Sequence, residues 1–142
     1  MIAGAAVFYG MVCADVMLRA KEAWFEGEKY WRWSEHPEER AAFLLAQQKV
    51  EQSELEKKQA QGKLSQEDFD RDKELLDFRY ELMRKESSIK YAYVWYQTAA
   101  ELFSPPDSKW VKLSRAKMPL AKERWKAELK ARNIPFEDYM ID

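Results

Sequence analysis

Residues Met1 to Leu18 contain no Lys, Arg, Glu, His, Asn or Gln, and their one charge, Asp15, stands near the downstream end. At about 1.5 Å per residue a helix of this run covers roughly 27 Å, close to the thickness of a bilayer's hydrocarbon core. Arg19 and Lys21 follow, and then Trp24, Phe25, Tyr30, Trp31 and Trp33. Cations with long apolar stems and tryptophans suit a membrane surface, so Arg19, Lys21, Trp24, Trp31 and Trp33 are the expected interfacial anchors. The pattern predicts one N-terminal transmembrane helix. The positive-inside rule then sets the rest of the chain on the cytoplasmic, matrix or stromal side of a bacterial or mitochondrial inner membrane. A cleavable signal would carry a basic residue before the apolar run, and none precedes Arg19. The competing reading is a buried helix of a soluble bundle.

Ala6, Gly10 and Ala14 recur every four residues and so share one helix face, where small side chains allow close approach of another membrane helix. Asp15 is expected at the headgroups beside Arg19. Cys13 is the one cysteine and His36 the one histidine, so neither a disulfide nor a Cys/His metal set can be built.

The rest of the chain is polar and poor in glycine, and the predicted fold is all-α. Three segments are expected: a transmembrane helix with its aromatic extension over 1–33, a long antiparallel helical hairpin over 34–103, and an extended basic arm with one short helix over 104–142. Pro37 followed by Glu38 and Glu39 marks the start of the hairpin's first helix, which should run to about Gln61. Gly62 permits a stop, and Ser65 with Asp68 forms a capping pattern for the second helix. No breaker is evident from Gln66 to Phe103, and Phe69, Leu76, Tyr80, Met83, Ser87, Tyr91, Val94, Thr98 and Leu102 trace a coiled-coil-like stripe. Folding back should return the aromatics of Ile89 to Tyr96 to the neighbourhood of Trp24 to Trp33, to pack there, touch headgroups or meet another subunit. Tyr91, Trp95, Trp110 and Trp125 are the expected partner-binding residues.

Ser104-Pro105-Pro106-Asp107 should end the long helix, and a short one should lie between Pro119 and Arg132. Residues 109–142 carry 9 basic and 5 acidic groups against 15 and 20 in the preceding 108. Lys109, Lys112, Arg115, Lys117, Lys122, Arg124, Lys126, Lys130 and Arg132 form the basic surface, and the acids Glu137, Asp138 and Asp142 close the chain. Cations interleaved with tryptophan suit anionic headgroups or an acidic protein surface; nucleic acid is disfavoured because no nucleic-acid-binding motif accompanies them.

No Gly-rich phosphate loop, nucleophile-base set or Glu-x-x-His pair occurs, which argues against catalysis, a cofactor, a metal or a small-molecule substrate. The expectation is a single-pass, non-catalytic accessory or assembly subunit of a larger membrane complex, one of bioenergetic type, whose partners are other subunits and lipid headgroups. The alternatives are a soluble or peripheral helical scaffold and a basic-arm component of a ribonucleoprotein.

Overall fold

The computed structural model describes residues 2–137, 140 and 141, and the side chains of residues 2–7 fall outside that description. The side chain of Ala6 therefore lies outside the description, and Asp138 and Asp142 lie outside the described residues. Five α-helices and one π-helical turn follow in order: α1 Ile2–Glu35, α2 Pro37–Ala60, α3 Gln66–Lys85, α4 Ser88–Gln97, the π turn Thr98–Leu102 and α5 Lys109–Ala131. No strand occurs among the described residues. The chain divides into two compact units, a bundle of Met1–Glu35 with Ser87–Asp142 and a hairpin of His36–Glu86.

The bundle packs α1, α4 and α5 on one another. Its seams carry the alternating steps of three and four that let helices pack side by side. On α1 the sequence Cys13, Val16, Ala20, Ala23, Gly27, Tyr30 supplies the seam, half-buried at both ends and fully covered between. On α5 the corresponding residues are Val111, Ser114, Met118, Ala121 and Trp125. Ala92, Ala99 and Ala100 are buried on α4 and the π turn. With so many small residues the backbones approach closely, and volume is filled by a few rings: Trp24 lies 5.5 Å from Tyr96, Tyr30 stacks on Tyr91 at 5.1 Å, and Tyr93 meets Trp125 at 5.8 Å. The aromatics of α4 thus pack on α1 and α5. Pairings of Phe25 with Trp110 and of Glu35 with Arg124 set α5 parallel to α1, with α4 antiparallel to both.

The hairpin is stitched more thinly. Leu44, Leu76 and Tyr80 form its core, with Leu55 and Met83 partly buried against it. Gly62 takes φ 67° at the turn, and the Ser65 hydroxyl accepts from the Asp68 amide at 3.1 Å to start α3. Arg40 is buried; its Nη2 donates to the Met83 carbonyl at 2.7 Å and its Nη1 to that of Glu86, so one guanidinium closes the C-terminal end of α3.

One expectation gains no support and two are corrected. Among the described residues no helix is long and apolar enough to cross a membrane, so the N-terminal transmembrane helix gains no support from the fold. The stretch from Phe8 to Phe25 already includes Asp15, Arg19, Lys21 and Glu22, and α1 from Ala20 onward is a core helix of the bundle. The second hairpin helix is not continuous to Phe103. Glu86 and Ser87 adopt extended backbone, and the Ser87 hydroxyl accepts from the Lys90 amide at 3.1 Å to start α4. The break shifts the stripe: Leu76 and Tyr80 are buried as expected, whereas Val94 and Leu102 are exposed and Ile89, Ala92, Tyr93 and Tyr96 take the core. Finally, the C-terminal arm is not extended. One helix runs from Lys109 through Pro119 to Ala131, because Pro119 lies on the exposed face and costs α5 one backbone bond there while Val111, Ser114 and Ala121 hold the buried face. Ser108 caps its start, and Asn133 at φ 54° follows its end.

Candidate interaction surfaces

Among the described residues no group of three His, Cys, Asp or Glu side chains could hold a metal ion. The hollows described below are open grooves.

The charges expected on the arm are taken up in part by contacts within the bundle. Trp31 is held between two cations, Lys117 with Nζ 4.3 Å and Arg124 with Cζ 4.0 Å from its ring centre. Lys117 also pairs with Glu28 at 3.3 Å and Arg124 with Glu35 at 2.9 Å. Glu28 accepts a 2.6 Å hydrogen bond from the Tyr96 hydroxyl. Burial first, then that carboxylate, hold the Tyr96 phenol far above its ordinary value. Arg115 pairs with Asp107 at 2.8 Å and bonds the Ser104 hydroxyl, Arg132 pairs with Glu128, and Lys126 with Glu123. Lys122 is half-buried, and Lys109, Lys112 and Lys130 are exposed. Of the nine, Lys117 and Arg124 tie α5 to α1 and Arg115 ties it to the preceding turn, whereas the Arg132 and Lys126 pairs lie within α5 and its C-terminal cap.

The expected anchors and partner residues divide similarly. Trp24 and Trp33 are buried, Trp31 half-buried, and Arg19 and Lys21 exposed. Arg19 donates to Asp15 at 2.8 Å, as an i, i+4 pair. Tyr91, Trp95, Trp110 and Trp125 are each half-buried within the bundle.

Two surfaces remain uncovered. The first is the N-terminal half of α1, where Phe8, Tyr9, Met11 and Leu18 are 58–72% exposed and Val12 and Met17 join them. These positions fall on every side of the helix rather than along one stripe. Gly10 and Ala14 are exposed there too, and a side chain added at Gly10 would meet nothing within 4 Å.

The second is one face of the hairpin. Phe43 and Val50 on α2 and Leu75, Phe78 and Leu82 on α3 are exposed and lie on the same side of the seam. Leu75 and Phe78 line a groove of about 510 Å³ together with Leu55, Glu54 and Lys58, and Phe43 and Val50 line a smaller one of about 290 Å³. Glu51 stands between the two grooves, bonded at 2.6 Å by the Tyr80 hydroxyl and paired with Arg79. The phenol bond holds the Glu51 carboxyl below its usual range, while burial and that carboxylate push Tyr80 up. Sequence reading missed this face because Val50, Leu75 and Phe78 stand beside charged residues and Phe43 reads as part of the apolar run Phe43-Leu44-Leu45. The pattern Leu75, Phe78, Leu82 at steps of three and four was the available signal.

No family model, no curated protein and no solved structure matches this chain.

Proposed function

We propose that the protein is a non-catalytic accessory or assembly subunit of a larger membrane complex, anchored by the N-terminal half of α1 and acting through helix packing. The observation that carries the reading is the all-round exposure of Phe8, Tyr9, Met11, Val12, Met17 and Leu18. A helix that packs on one partner shows an apolar stripe, whereas one that is apolar on all sides calls for apolar surroundings on all sides. A bilayer supplies them. From Ile2 to Leu18 the helix measures about 25 Å, comparable with a hydrocarbon core of about 30 Å. Arg19 and Lys21 at its downstream end favour a body on the cytoplasmic, matrix or stromal side of a mitochondrial or bacterial inner membrane. The second hairpin face, with Phe78 and Leu75 at its centre, suits contact with another subunit of the complex, and a bioenergetic complex is the type proposed.

The test is flotation of native membranes after a high-salt wash, followed by mild-detergent extraction, sizing and mass spectrometry of what migrates with the protein. The full chain should float and migrate as part of a large assembly. Deletion of residues 2–18 should release it from the membrane, and Leu75→Glu with Phe78→Glu should leave it membrane-bound but free of the assembly. A full chain that stays in the soluble fraction as a lone oligomer would overturn the reading in favour of a soluble scaffold.

A further inference from the structure

Where α1 leaves the bundle, α5 and the turn before it bring a second set of groups to the same place. Trp110, the second residue of α5, packs on Phe25 at 5.4 Å. Lys21 from α1 and Lys109 from α5 both stand over its ring, with Nζ 6.0 and 5.3 Å from the centre. Lys112 follows one turn further along α5. Beside them Leu18, Arg19, Phe25, Trp95 and Phe103 line an open groove of about 560 Å³, and Leu102 at the end of the π turn is 73% exposed.

The charges here are unevenly committed. Asp15 is held by Arg19, Asp107 by Arg115 and Glu26 by Lys29. Glu22, exposed on the groove, is an acid in no ion pair among the described residues. Lys21, Lys109 and Lys112 are exposed and likewise form no ion pair among the described residues. Lys21 and Lys109 thus flank one tryptophan, with Lys112, whose charge also acts on Asp107, one turn along α5 and apolar side chains beside them, at the base of an uncovered apolar helix. Lysine heads reaching outward from an aromatic and aliphatic footing match the bilayer's own layering of phosphate above acyl chain.

We propose that Lys21 and Lys109, footed on Trp110, together with Lys112 one turn along α5, form a binding site for the phosphates of anionic lipid headgroups. The inference rests on the membrane-anchor reading above and relocates the interfacial collar. It is built from the start of α5 and the turn before it, and not from Trp24, Trp31 and Trp33, which the bundle covers. Attraction of about 1 kcal/mol per lysine near an anionic surface gives a preference on the order of a hundredfold for three.

The experiment is flotation of the purified full chain with vesicles of phosphatidylcholine alone or mixed with phosphatidylglycerol, over a series of salt concentrations. The chain should float with both, more than tenfold better with the phosphatidylglycerol mixture at low salt. The Lys21→Gln, Lys109→Gln, Lys112→Gln triple variant should lose that preference, while Lys49→Gln, Lys57→Gln, Lys63→Gln on the hairpin should keep it. Equal flotation on both lipids, or a preference the first triple variant retains, overturns the headgroup site and leaves the anchor intact. No flotation on either lipid overturns both.

Discussion

Gly27 lies flat against the ring of Tyr96, so that a Cβ on Gly27 would stand 2.5 Å from Cε1 and 2.7 Å from Cδ1. The contact fixes how closely α1 and α4 approach, and Tyr96 cannot yield because it is fully buried against Trp24 and bonded to Glu28. In an exposed helix, Gly→Ala gains about 1 kcal/mol. Here overpacking costs about 1–3 kcal/mol, so Gly27→Ala should lower stability. Thermal unfolding followed by circular dichroism checks it, with Gly10→Ala, whose new methyl meets nothing, as the comparison. A Gly27→Ala protein that melts higher than its parent would show that the helices can part without loss.

The Tyr96 phenol is held far above its ordinary value by burial and by Glu28, which gives stability a pH dependence of definite sign. An unfolded tyrosine ionises near about pH 10, while the folded one keeps its proton. Its contribution is therefore complete below about pH 10 and declines above it, by up to about 1.4 kcal/mol per pH unit. Urea midpoints measured from about pH 8 to about pH 11 should fall more steeply for the parent than for Tyr96→Phe. Glu51, held low by Tyr80, acts in the opposite sense, and its contribution disappears as pH falls below about 4.

The helical class, the Gly62 turn and the Ser65 cap were legible because each rests on local chemistry that neighbours do not override. The return of the Ile89 to Tyr96 aromatics to Trp24 and Tyr30 was legible too, since it follows from chain reversal alone. The seam of the bundle was not. Cys13, Val16, Ala20, Ala23 and Gly27 are small and look like filler beside Trp24 and Phe25, although their spacing is regular. On α5 the seam of Val111, Ser114, Met118, Ala121 and Trp125 was hidden by Pro119, read as a boundary when its exposed position lets the helix continue. Ser87 was passed over because a serine inside a long periodic run looks tolerated; capped to Lys90, it is a helix start. That Lys21 and Lys109 converge on Trp110 could not be read from sequence, because it depends on how α1 and α5 pack.

Arg40 closes the C-terminal end of α3 through the Met83 and Glu86 carbonyls. Arg40→Met keeps the stem but withdraws the donors from those carbonyls, which should destabilise the hairpin by about 2 kcal/mol. Lysine offers a single donor head in place of the planar fork, so Arg40→Lys should restore only part of the loss. Hydrogen exchange resolved by residue should show the effect confined to amides of α2 and α3. Equal destabilisation of α1 and α5 amides would mean that the two units unfold as one.

Gly10 separates the fold from the proposed function. Because nothing lies within 4 Å of a side chain added there, Gly10→Ile should leave the bundle's thermal unfolding nearly unchanged. In a bilayer, however, a small residue between Ala6 and Ala14 lets a neighbouring helix approach closely, and a branched side chain would hold that helix off. The variant should remain membrane-bound but dissociate more readily from the assembly in mild detergent, while Gly10→Ala, which adds one methyl, should behave nearly as the parent. The readout is the fraction co-migrating with the large species on sizing. Co-migration undiminished by Gly10→Ile would mean that this face of α1 meets lipid alone, leaving the hairpin face around Phe78 as the contact that carries assembly.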